Sequence, residues 1–385
     1  CFRDEKNFCQ KMLKKYPTKN LPLHKLPFVQ CSSQLSASPH YEIHFGGPDQ
    51  RAGRLRDLLA EKIEAVPAGG AIDWVTYYFR DQRLAEQLLR AHRRNVNVRV
   101  TLEGNPHIPH ANSAVVALLS GKQGLGRGFR TVYLPPRVPM PGRKMGNPNL
   151  HEKLYCFSHP KPIAFMGSFN PSGNDPEKRP DVIRKIGDHN RAHNVLVGIS
   201  EPALVNGLVS HARWIHRARH RILEPFFADG NRSLRGRNTE IHFLPRARAH
   251  AAEHFLRSFG EGARIRVAAS HLNGMTAVKT MLKIFRRGAS LEILAEPTLR
   301  RVPLKTEKKL VAAGIPFRRV THVENVPMHH KFVLVEQKSR RWVVFGSYNW
   351  STLSYWINQE ICAISSEPKL FEAFAERWEA LEAQK

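Results

Sequence analysis

The sequence predicts an α/β protein built from two similar halves, and three observations point to this fold. A His-x-Lys pair that runs into an apolar strand occurs twice, at His151 and at His329, and Gly-Ser-aromatic-Asn follows each pair at almost the same distance. A strand–helix–strand rhythm occurs in both halves of the chain. Both halves also end with Ser-Glu-Pro and a helix carrying Arg-Trp. We therefore expect a duplicated unit related by a pseudo-two-fold axis, each half a mixed, mostly parallel sheet flanked by helices.

The elements of the first half follow from hydrophobic periodicity. Alternating or continuously apolar runs predict strands at 41–45, 72–79 and 96–100, and a helical period predicts helices at 53–66 and 84–94. The second helix ends at Asn95, a residue that can adopt the left-handed cap conformation.

The second half repeats the pattern with strands at 265–269 and 290–295 and a helix at 277–287 that ends at Gly288. The predicted organisation is a basic leader at 1–39, a first half at 40–215, a basic linker at 216–239 and a second half at 240–385. Because both half-sites lie in one chain, a monomer is sufficient.

The composition indicates a polyanionic partner. The chain has 385 residues and a formal net charge of +27, with 60 Lys and Arg against 33 Asp and Glu. Such an excess of positive charge favours a nucleic acid or an anionic membrane surface. No apolar run approaches the roughly 20 residues that span a bilayer, so membrane contact is expected to be peripheral.

The five cysteines leave the compartment open. Cys156 and Cys362 lie in apolar runs and are expected to be buried. Cys9 and Cys31 could form a disulfide in an oxidising compartment, or ligate zinc with His24, although neither spacing matches a zinc module. Cys1 at the start is compatible with export and lipidation or with a truncated chain.

The repeated motif is typical of a site for a phosphate group. Residues two apart on a strand point to the same face, so each His-x-Lys presents an imidazole beside an ammonium group. The returning strand adds Asn170 in one half and Asn349 in the other. Two such sets around one pocket could hold the non-bridging oxygens of a phosphodiester while the imidazoles act as nucleophile and acid. No metal or other cofactor is needed for this chemistry.

These residues resemble the phospholipase D superfamily, whose signature is His-x-Lys-(x)4-Asp followed by Gly-Ser-x-Asn. The resemblance runs from about residue 40 to 380 and implies cleavage or transfer of a phosphodiester through a phosphohistidine. Two positions depart from the signature, since Ser158 and Glu336 stand where it has Asp.

The resemblance also implies roles for individual residues. His151 is expected to be the nucleophile and His329 the general acid, with Lys153, Lys331, Asn170 and Asn349 around the phosphate. Asn358-x-Glu360 matches the family's Asn-x-Glu, so Glu360 is the expected partner of His329. Alignment of the two halves puts Asn194 opposite Glu360, where its amide would orient His151. The remaining candidate substrate contacts are Ser168, Ser347 and Trp350.

The substrate class stays open between three alternatives. Residues 193–203 resemble the bacterial cardiolipin-synthase-like branch, which implies hydrolysis or phosphatidyl transfer on phospholipids. The second Gly-Ser-x-Asn segment also resembles the endonucleases of the superfamily, and the net charge suits nucleic acid. The departures at Ser158 and Asn194 prompt a third alternative, a degenerate phosphate-binding module.

Overall fold

The structure is a computed structural model that describes residues 40–136, 138–140, 143–221, 224–246, 251–321 and 326–384. The predicted leader at 1–39, with Cys1, Cys9, Cys31 and His24, lies outside the described residues. The expectations of lipidation, a disulfide and a zinc site there stay predictions.

Two mixed sheets form the framework. The strands of the first sheet are β1 (Tyr41–Gly46), β2 (Ala71–Thr76), β3 (Asn97–Glu103), β4 (Phe129–Val132), β7 (Leu154–Phe157), β8 (Ile163–Gly167) and β9 (Asn194–Ile199). Those of the second are β10 (Leu234–Arg235), β11 (Thr239–Leu244), β12 (Ala263–Ala269), β13 (Ser290–Ala295), β14 (Phe317–Arg319), β15 (Lys331–Gln337), β16 (Arg340–Gly346) and β17 (Glu360–Ser365). A separate hairpin consists of β5 (Val138–Met140) and β6 (Arg143–Gly146).

The strand orders show the duplication. The first sheet runs β1-β9-β8-β7-β2-β3-β4, and the second runs β10-β11-β17-β16-β15-β12-β13-β14, so seven strands correspond one to one and β10 is an addition. Both sheets are mixed as predicted, but parallel pairing is confined to β2–β3–β4 and β12–β13–β14. The expectation of mostly parallel sheets is therefore corrected: the His-x-Lys strands and their return strands are hairpin neighbours, which pair antiparallel.

Helices cover the sheets and also separate them. They are α1 (Arg54–Glu64), α2 (Gln82–Arg93), α3 (Ser113–Ser120), α4 (Pro180–Ile186), α5 (Pro202–Arg217), α6 (Glu224–Phe227), α7 (Ala251–Leu256), α8 (Met275–Arg286), α9 (Leu304–Val311), α10 (Thr352–Trp356) and α11 (Pro368–Glu382), with short 3₁₀ turns at Gly126–Gly128 and Asp229–Asn231. Helices α1 to α3 share an apolar core with the first sheet, and α7 to α9 share one with the second. A third core holds the facing sides of both sheets together with α5 and α11, so the two halves are joined by a common apolar interior.

Local signals explain where these elements begin and end. Asp81 caps α2 by accepting a hydrogen bond from the Leu84 amide. Asn95 and Gly288 both have positive φ, 64° and 88°, which confirms the predicted left-handed caps after the equivalent helices α2 and α8. Pro202 and Pro368 open α5 and α11 at the first helical position, where the missing N–H costs no hydrogen bond.

The predicted linker contributes structure of its own. Helix α5 extends to Arg217, and the following segment adds α6 and then β10, which pairs with β11. Cys156 and Cys362 are buried free thiols in β7 and β17, as expected. In the part of the chain that the structure describes, no helix is both long and apolar enough to cross a bilayer.

Candidate active site at the carboxyl ends of the parallel strands

The two His-x-Lys motifs lie at equivalent edges of the two sheets. Strand β7 runs antiparallel to β2 with Leu154 opposite Val75, and β15 runs antiparallel to β12 with Lys331 opposite Ala269. The motifs therefore lie beside the carboxyl ends of the parallel strands, the edge at which ligands bind in open α/β sheets.

One glutamate in each half binds the backbone amide of the residue just before the motif histidine. Glu103 accepts a hydrogen bond from the Leu150 amide at 2.5 Å, and Glu296 accepts one from the Met328 amide at 2.8 Å. Glu103 is the last residue of β3, and Glu296 directly follows the equivalent strand β13. The sequence does not reveal this role, because a carboxylate that binds a backbone amide leaves no spacing signal. Burial raises the pKa of Glu103 to about 7.

Strand-like contacts between the halves bring the motifs together. Leu150 forms a bridge with Gln359 of the second half, and Met328 forms one with His193 of the first. The His151 amide donates to the Gln359 carbonyl at 2.8 Å, and the His329 amide donates to the His193 carbonyl at 3.0 Å. The start of each motif is thus fixed by the opposite half, which supports one shared site.

His151 forms a dyad with the carboxylate of Glu360. Its Nδ1 lies 2.9 Å from Glu360 Oε2, and Ser347 and Ser354 each donate a hydroxyl hydrogen bond to this carboxylate at 2.6 Å. Burial would raise the pKa of Glu360, but the charges of His151 and Lys153 and the hydrogen bonds from His151 and Ser347 outweigh it and keep that pKa below its usual value. Burial lowers the pKa of His151 to about 4, against the attraction of Glu360.

His329 has an amide in the equivalent position. Its Nδ1 lies 2.9 Å from Asn194 Oδ1, and the Ser168 hydroxyl donates to the same oxygen at 3.1 Å. Burial and then the charge of Lys331 lower the pKa of His329 well below its usual value. The His189 ring packs edge-on against the His329 ring, with the centroids 4.7 Å apart.

The predicted partners of the two histidines are therefore wrong. Glu360 was expected to face His329 and Asn194 to face His151, each within its own half, and the structure exchanges them. The alignment of Asn194 with Glu360 is confirmed, since both begin the strand after Gly-Ser-x-Asn and both accept from its serine. The two halves meet face to face, so Asn194 of the first half contacts His329 and Glu360 of the second half contacts His151. The order of residues along the chain does not show this exchange.

The two lysines and Asn170 lie close to the motif backbone or to its neighbours, and Asn349 is buried with no hydrogen-bond partner for its Oδ1 among the described residues. Lys153 Nζ donates to the His151 carbonyl at 2.5 Å, and Lys331 Nζ donates to the His329 carbonyl at 2.8 Å. Burial lowers the pKa of Lys153 to about 7, and burial and then the charge of Lys153 lower the pKa of Lys331 well below its usual value. Asn170 Oδ1 accepts from the Tyr78 amide at 3.3 Å, which leaves its NH₂ group for a ligand.

Three predicted substrate contacts have other positions. Ser168 and Ser347 are fully buried. The Ser168 hydroxyl donates to Asn194 and accepts from the Val195 amide, and the Ser347 hydroxyl donates to Glu360 and accepts from the Ile361 amide. Both serines therefore orient other side chains. Trp350 is 2% exposed and packs in the apolar core of the second half against Tyr348, so its predicted place as a pocket wall is corrected to a core position.

The departures from the family signature lie away from the site. The Ser158 hydroxyl accepts from the Ala71 amide at 2.8 Å, at the amino end of β2. Glu336 pairs with Arg266 at 3.0 Å, near the far end of β15. Both residues make their contacts at the ends of the strands that lie opposite the His-x-Lys motifs. Neither substitution therefore removes a group from the motif residues.

The sequence interpretation missed Arg301. This guanidinium is only 8% exposed, and its charge acts on His329, Lys331, His189 and His271. Its Nη1 lies 3.7 Å from Glu296 Oε1, which is beyond hydrogen-bonding distance, and this same nitrogen has no hydrogen-bond partner among the described residues. A buried cation with an unused donor among the histidines suits a phosphate oxygen.

Further groups around the histidines were also missed. The Tyr77 ring lies 5.1 Å from the His151 ring and 5.5 Å from Lys153 Nζ. His271, which follows β12, is close enough for its pKa to be lowered by burial and then by Arg301 and Lys331. Among the described residues no cluster of His, Cys, Asp or Glu side chains is arranged to hold a metal ion.

Comparisons with known proteins agree with this geometry. A family model described as "Cardiolipin synthase, PLD-like domain" matches residues 67–195 and 261–381, more than half of the chain. A comparison with curated protein sequences finds no match. Among solved structures the chain is similar to phosphatidylserine synthase of Haemophilus influenzae Rd KW20, with 13% identity and a TM-score of 0.62 over 89% of this chain and 86% of the synthase.

The chain is also similar to polyphosphate kinase of Porphyromonas gingivalis, with 14% identity and a TM-score of 0.56 over 93% of this chain. It covers 52% of that kinase and so spans about half of the kinase's length. At these identities the structural likeness shows the fold, and the family model adds membership. The protein belongs to the family of phospholipase D-like domains described for cardiolipin synthase.

Proposed function

We propose that the protein cleaves or transfers a phosphodiester of a phospholipid through a phosphohistidine formed on His151. The observation that supports this most strongly is the dyad of His151 and Glu360, contributed by opposite halves at 2.9 Å. A carboxylate on Nδ1 fixes the tautomer that leaves the Nε2 lone pair free, and it compensates the positive charge that the ring gains on attack.

The first step forms a bond between His151 Nε2 and phosphorus and breaks the bond from phosphorus to the leaving alcohol oxygen. His329 gives its proton to that oxygen. Lys153, Lys331 and Arg301 face the charge on the non-bridging oxygens, where cations in a dry site are most effective.

In the second step water or an alcohol attacks phosphorus, His329 takes its proton, and the bond to His151 breaks. Water gives hydrolysis, and an alcohol gives transfer. These side chains supply the charge that a divalent ion supplies in other phosphodiesterases, so turnover is expected to continue in EDTA.

Because His329 faces Asn194 and not Glu360, its protonated form lacks the carboxylate that the sequence predicted. His329 donates Nδ1–H to the Asn194 amide, which carries no charge to hold a second proton on the ring. The bound phosphodiester and its growing negative charge must therefore supply the stabilisation of the imidazolium. We infer that protonation of His329 limits the rate near neutral pH.

The family description and the fold shared with a phosphatidylserine synthase support phospholipid as the substrate. A nuclease is the second candidate, because a net charge of +27 also suits a nucleic-acid backbone. A binding module that has lost catalysis is the third.

Parallel assays in EDTA separate these candidates. Release of headgroup and of phosphatidate from phospholipid vesicles is measured beside cleavage of plasmid and single-stranded DNA. The native chain is expected to act on the lipid, His151→Ala to be inactive, and His110→Ala, an exposed loop histidine, to match the native chain. Cleavage of DNA without lipid turnover would establish a nuclease, and no turnover of either substrate would support the binding module.

A further inference from the structure

The loop after β13 and the helix α9 present two different surfaces. Arg301 points inward among the histidines, whereas Leu299 and Arg300, its neighbours in the chain, are exposed. Leu299 is 57% exposed, Leu304 47% and Val311 51%, so half of the six strongly exposed large apolar side chains of the described residues lie within this short segment. Such a concentration is unusual for a surface with no partner.

The exposed side of α9 is basic as well as apolar. Leu304, Lys308 and Val311 are spaced along one helical face, and Lys305 flanks it. The helix's acidic residue, Glu307, turns to Arg319 at 2.7 Å, so no carboxylate of the helix neutralises that face. We name Leu299, Arg300, Leu304, Lys305, Lys308 and Val311 the α9 surface.

The α9 surface begins directly beside the site in the chain. Arg300 precedes the buried Arg301, and its charge acts on His271 within the site. It also acts on His107 of the first half, together with Lys185. The rim of the site thus carries positive charge from both halves beside exposed apolar side chains.

This combination distinguishes between the two polyanions. A nucleic-acid groove uses cations and stacking rings, and exposed leucines contribute little to phosphate contacts. Both features strengthen binding to a bilayer, since apolar side chains enter the headgroup boundary while lysines pair with anionic lipids.

We propose that the α9 surface docks the protein on an anionic phospholipid bilayer, with Leu299 and Leu304 in the headgroup layer and Arg300, Lys305 and Lys308 on anionic headgroups. Docking in this orientation presents a lipid phosphate to Arg301 and the two histidines. The proposal deepens the proposed function, on which it rests for its substrate class.

Vesicle binding tests the surface without catalysis. Full-length protein carrying His151→Ala is sedimented with vesicles of phosphatidylcholine, with and without phosphatidylglycerol. Two double variants are compared, Lys305→Glu with Lys308→Glu and Leu299→Ser with Leu304→Ser. The charge pair is expected to lower binding to anionic vesicles by at least about 30-fold, because two attractive charges are lost and two repulsive ones are added, and the apolar pair to lower it in high salt as well.

A matched control changes the same charge at the opposite edge. Lys161 is exposed in the turn between β7 and β8, and Lys122 is exposed beyond the end of α3. Lys122→Glu with Lys161→Glu is expected to lower binding less than threefold. If both α9 variants bind vesicles as this control does, the proposal is overturned. Loss of DNA binding in the lysine pair, with unchanged vesicle binding in the leucine pair, would assign the surface to nucleic acid instead.

Turnover of a short-chain phospholipid below its micelle concentration separates the two proposals. With His151 restored, the α9 variants are expected to match the native chain on this monomeric substrate and to lose activity on vesicles. A native chain that binds vesicles through α9 but turns over neither form of lipid would refute the proposed function and leave the docking surface standing. Equal loss on monomers and vesicles would show damage to the site and contradict docking.

Discussion

Replacing Asn194 with Asp is expected to raise the pKa of His329 and with it the turnover at neutral pH. The Asn194 oxygen already lies 2.9 Å from His329 Nδ1, and the substitution preserves shape while adding a negative charge. Ser168 donates to this oxygen as Ser347 donates to Glu360, so the variant reproduces the environment of the His151 dyad.

The size of the pKa increase at His329 follows from its hydrogen bond to residue 194, which gains a charged acceptor in Asn194→Asp. A buried hydrogen bond to a charged group contributes about 1.5–3 kcal/mol. Each 1.4 kcal/mol is a factor of ten, so the protonated fraction of His329 is expected to rise about tenfold to a hundredfold at pH values above its pKa. The nearby charges of Lys331, Lys153 and Arg301 favour an ionised carboxylate at this position.

Two measurements read this effect. Imidazole NMR titration gives the pKa of His329 directly, and the pH dependence of kcat is expected to extend to higher pH in Asn194→Asp. The mirror variant Glu360→Gln removes the charge behind His151 and is expected to slow formation of the phosphoenzyme about tenfold to a hundredfold. An unchanged or lower pKa of His329 in Asn194→Asp would refute the reasoning, and denaturant unfolding checks that the fold is retained.

Three further predictions use the same electrostatics. Burial raises the pKa of Glu253 to about 7, so the native state keeps a proton that the unfolded chain releases above its ordinary value of 4.5. This carboxyl group is therefore expected to lower the free energy of unfolding as pH rises from about 4.5 to 7. In urea unfolding, Glu253→Gln is expected to be more stable than the native chain by about 3 kcal/mol at pH 8 and equal to it at pH 4. Equal stability of the two proteins at pH 8 would contradict this. Because burial lowers the pKa of Lys153 to about 7, calorimetric binding of tungstate as a phosphate analogue is expected to weaken by up to about tenfold per pH unit above 7, and constant affinity from pH 6 to 9 would oppose it. Arg301→Ala is expected to lower kcat/KM on monomeric substrate about a hundredfold, with Arg301→Lys recovering part of the loss, whereas native kinetics in both variants would show that the guanidinium does not contact the phosphate.

Features repeated within the chain were predictable from sequence. The caps at Asn95 and Gly288 follow from local backbone chemistry, and the one-to-one strand correspondence follows from two copies of one motif. His151 and His329, the proposed nucleophile and acid, were found because the proposed chemistry requires their side-chain types at a fixed spacing.

Contacts between the halves were not predictable from one sequence. The exchange of Glu360 and Asn194 depends on how the halves face each other, and both pairings satisfy the same spacing. Arg301 belongs to one half only and lies in a loop between β13 and α9, where it resembles the surface arginine beside it. Trp350 adjoins a site residue in sequence but points into the apolar core, because the loop turns after Asn349.

Trapping the phosphoenzyme tests the central claim most directly. A phosphodiester that carries a labelled phosphatidyl group and a p-nitrophenol leaving group, which departs without a proton from His329, is mixed with the native chain and with His329→Ala. In His329→Ala the intermediate then forms but its release is slowed, because water lacks a base, and the modified peptide is mapped by mass spectrometry. The label is expected on His151 in both proteins, to accumulate in His329→Ala, and to be absent from His151→Ala. Label on His329, with His151→Ala still forming the adduct, would contradict the assignment of the nucleophile to the histidine paired with Glu360.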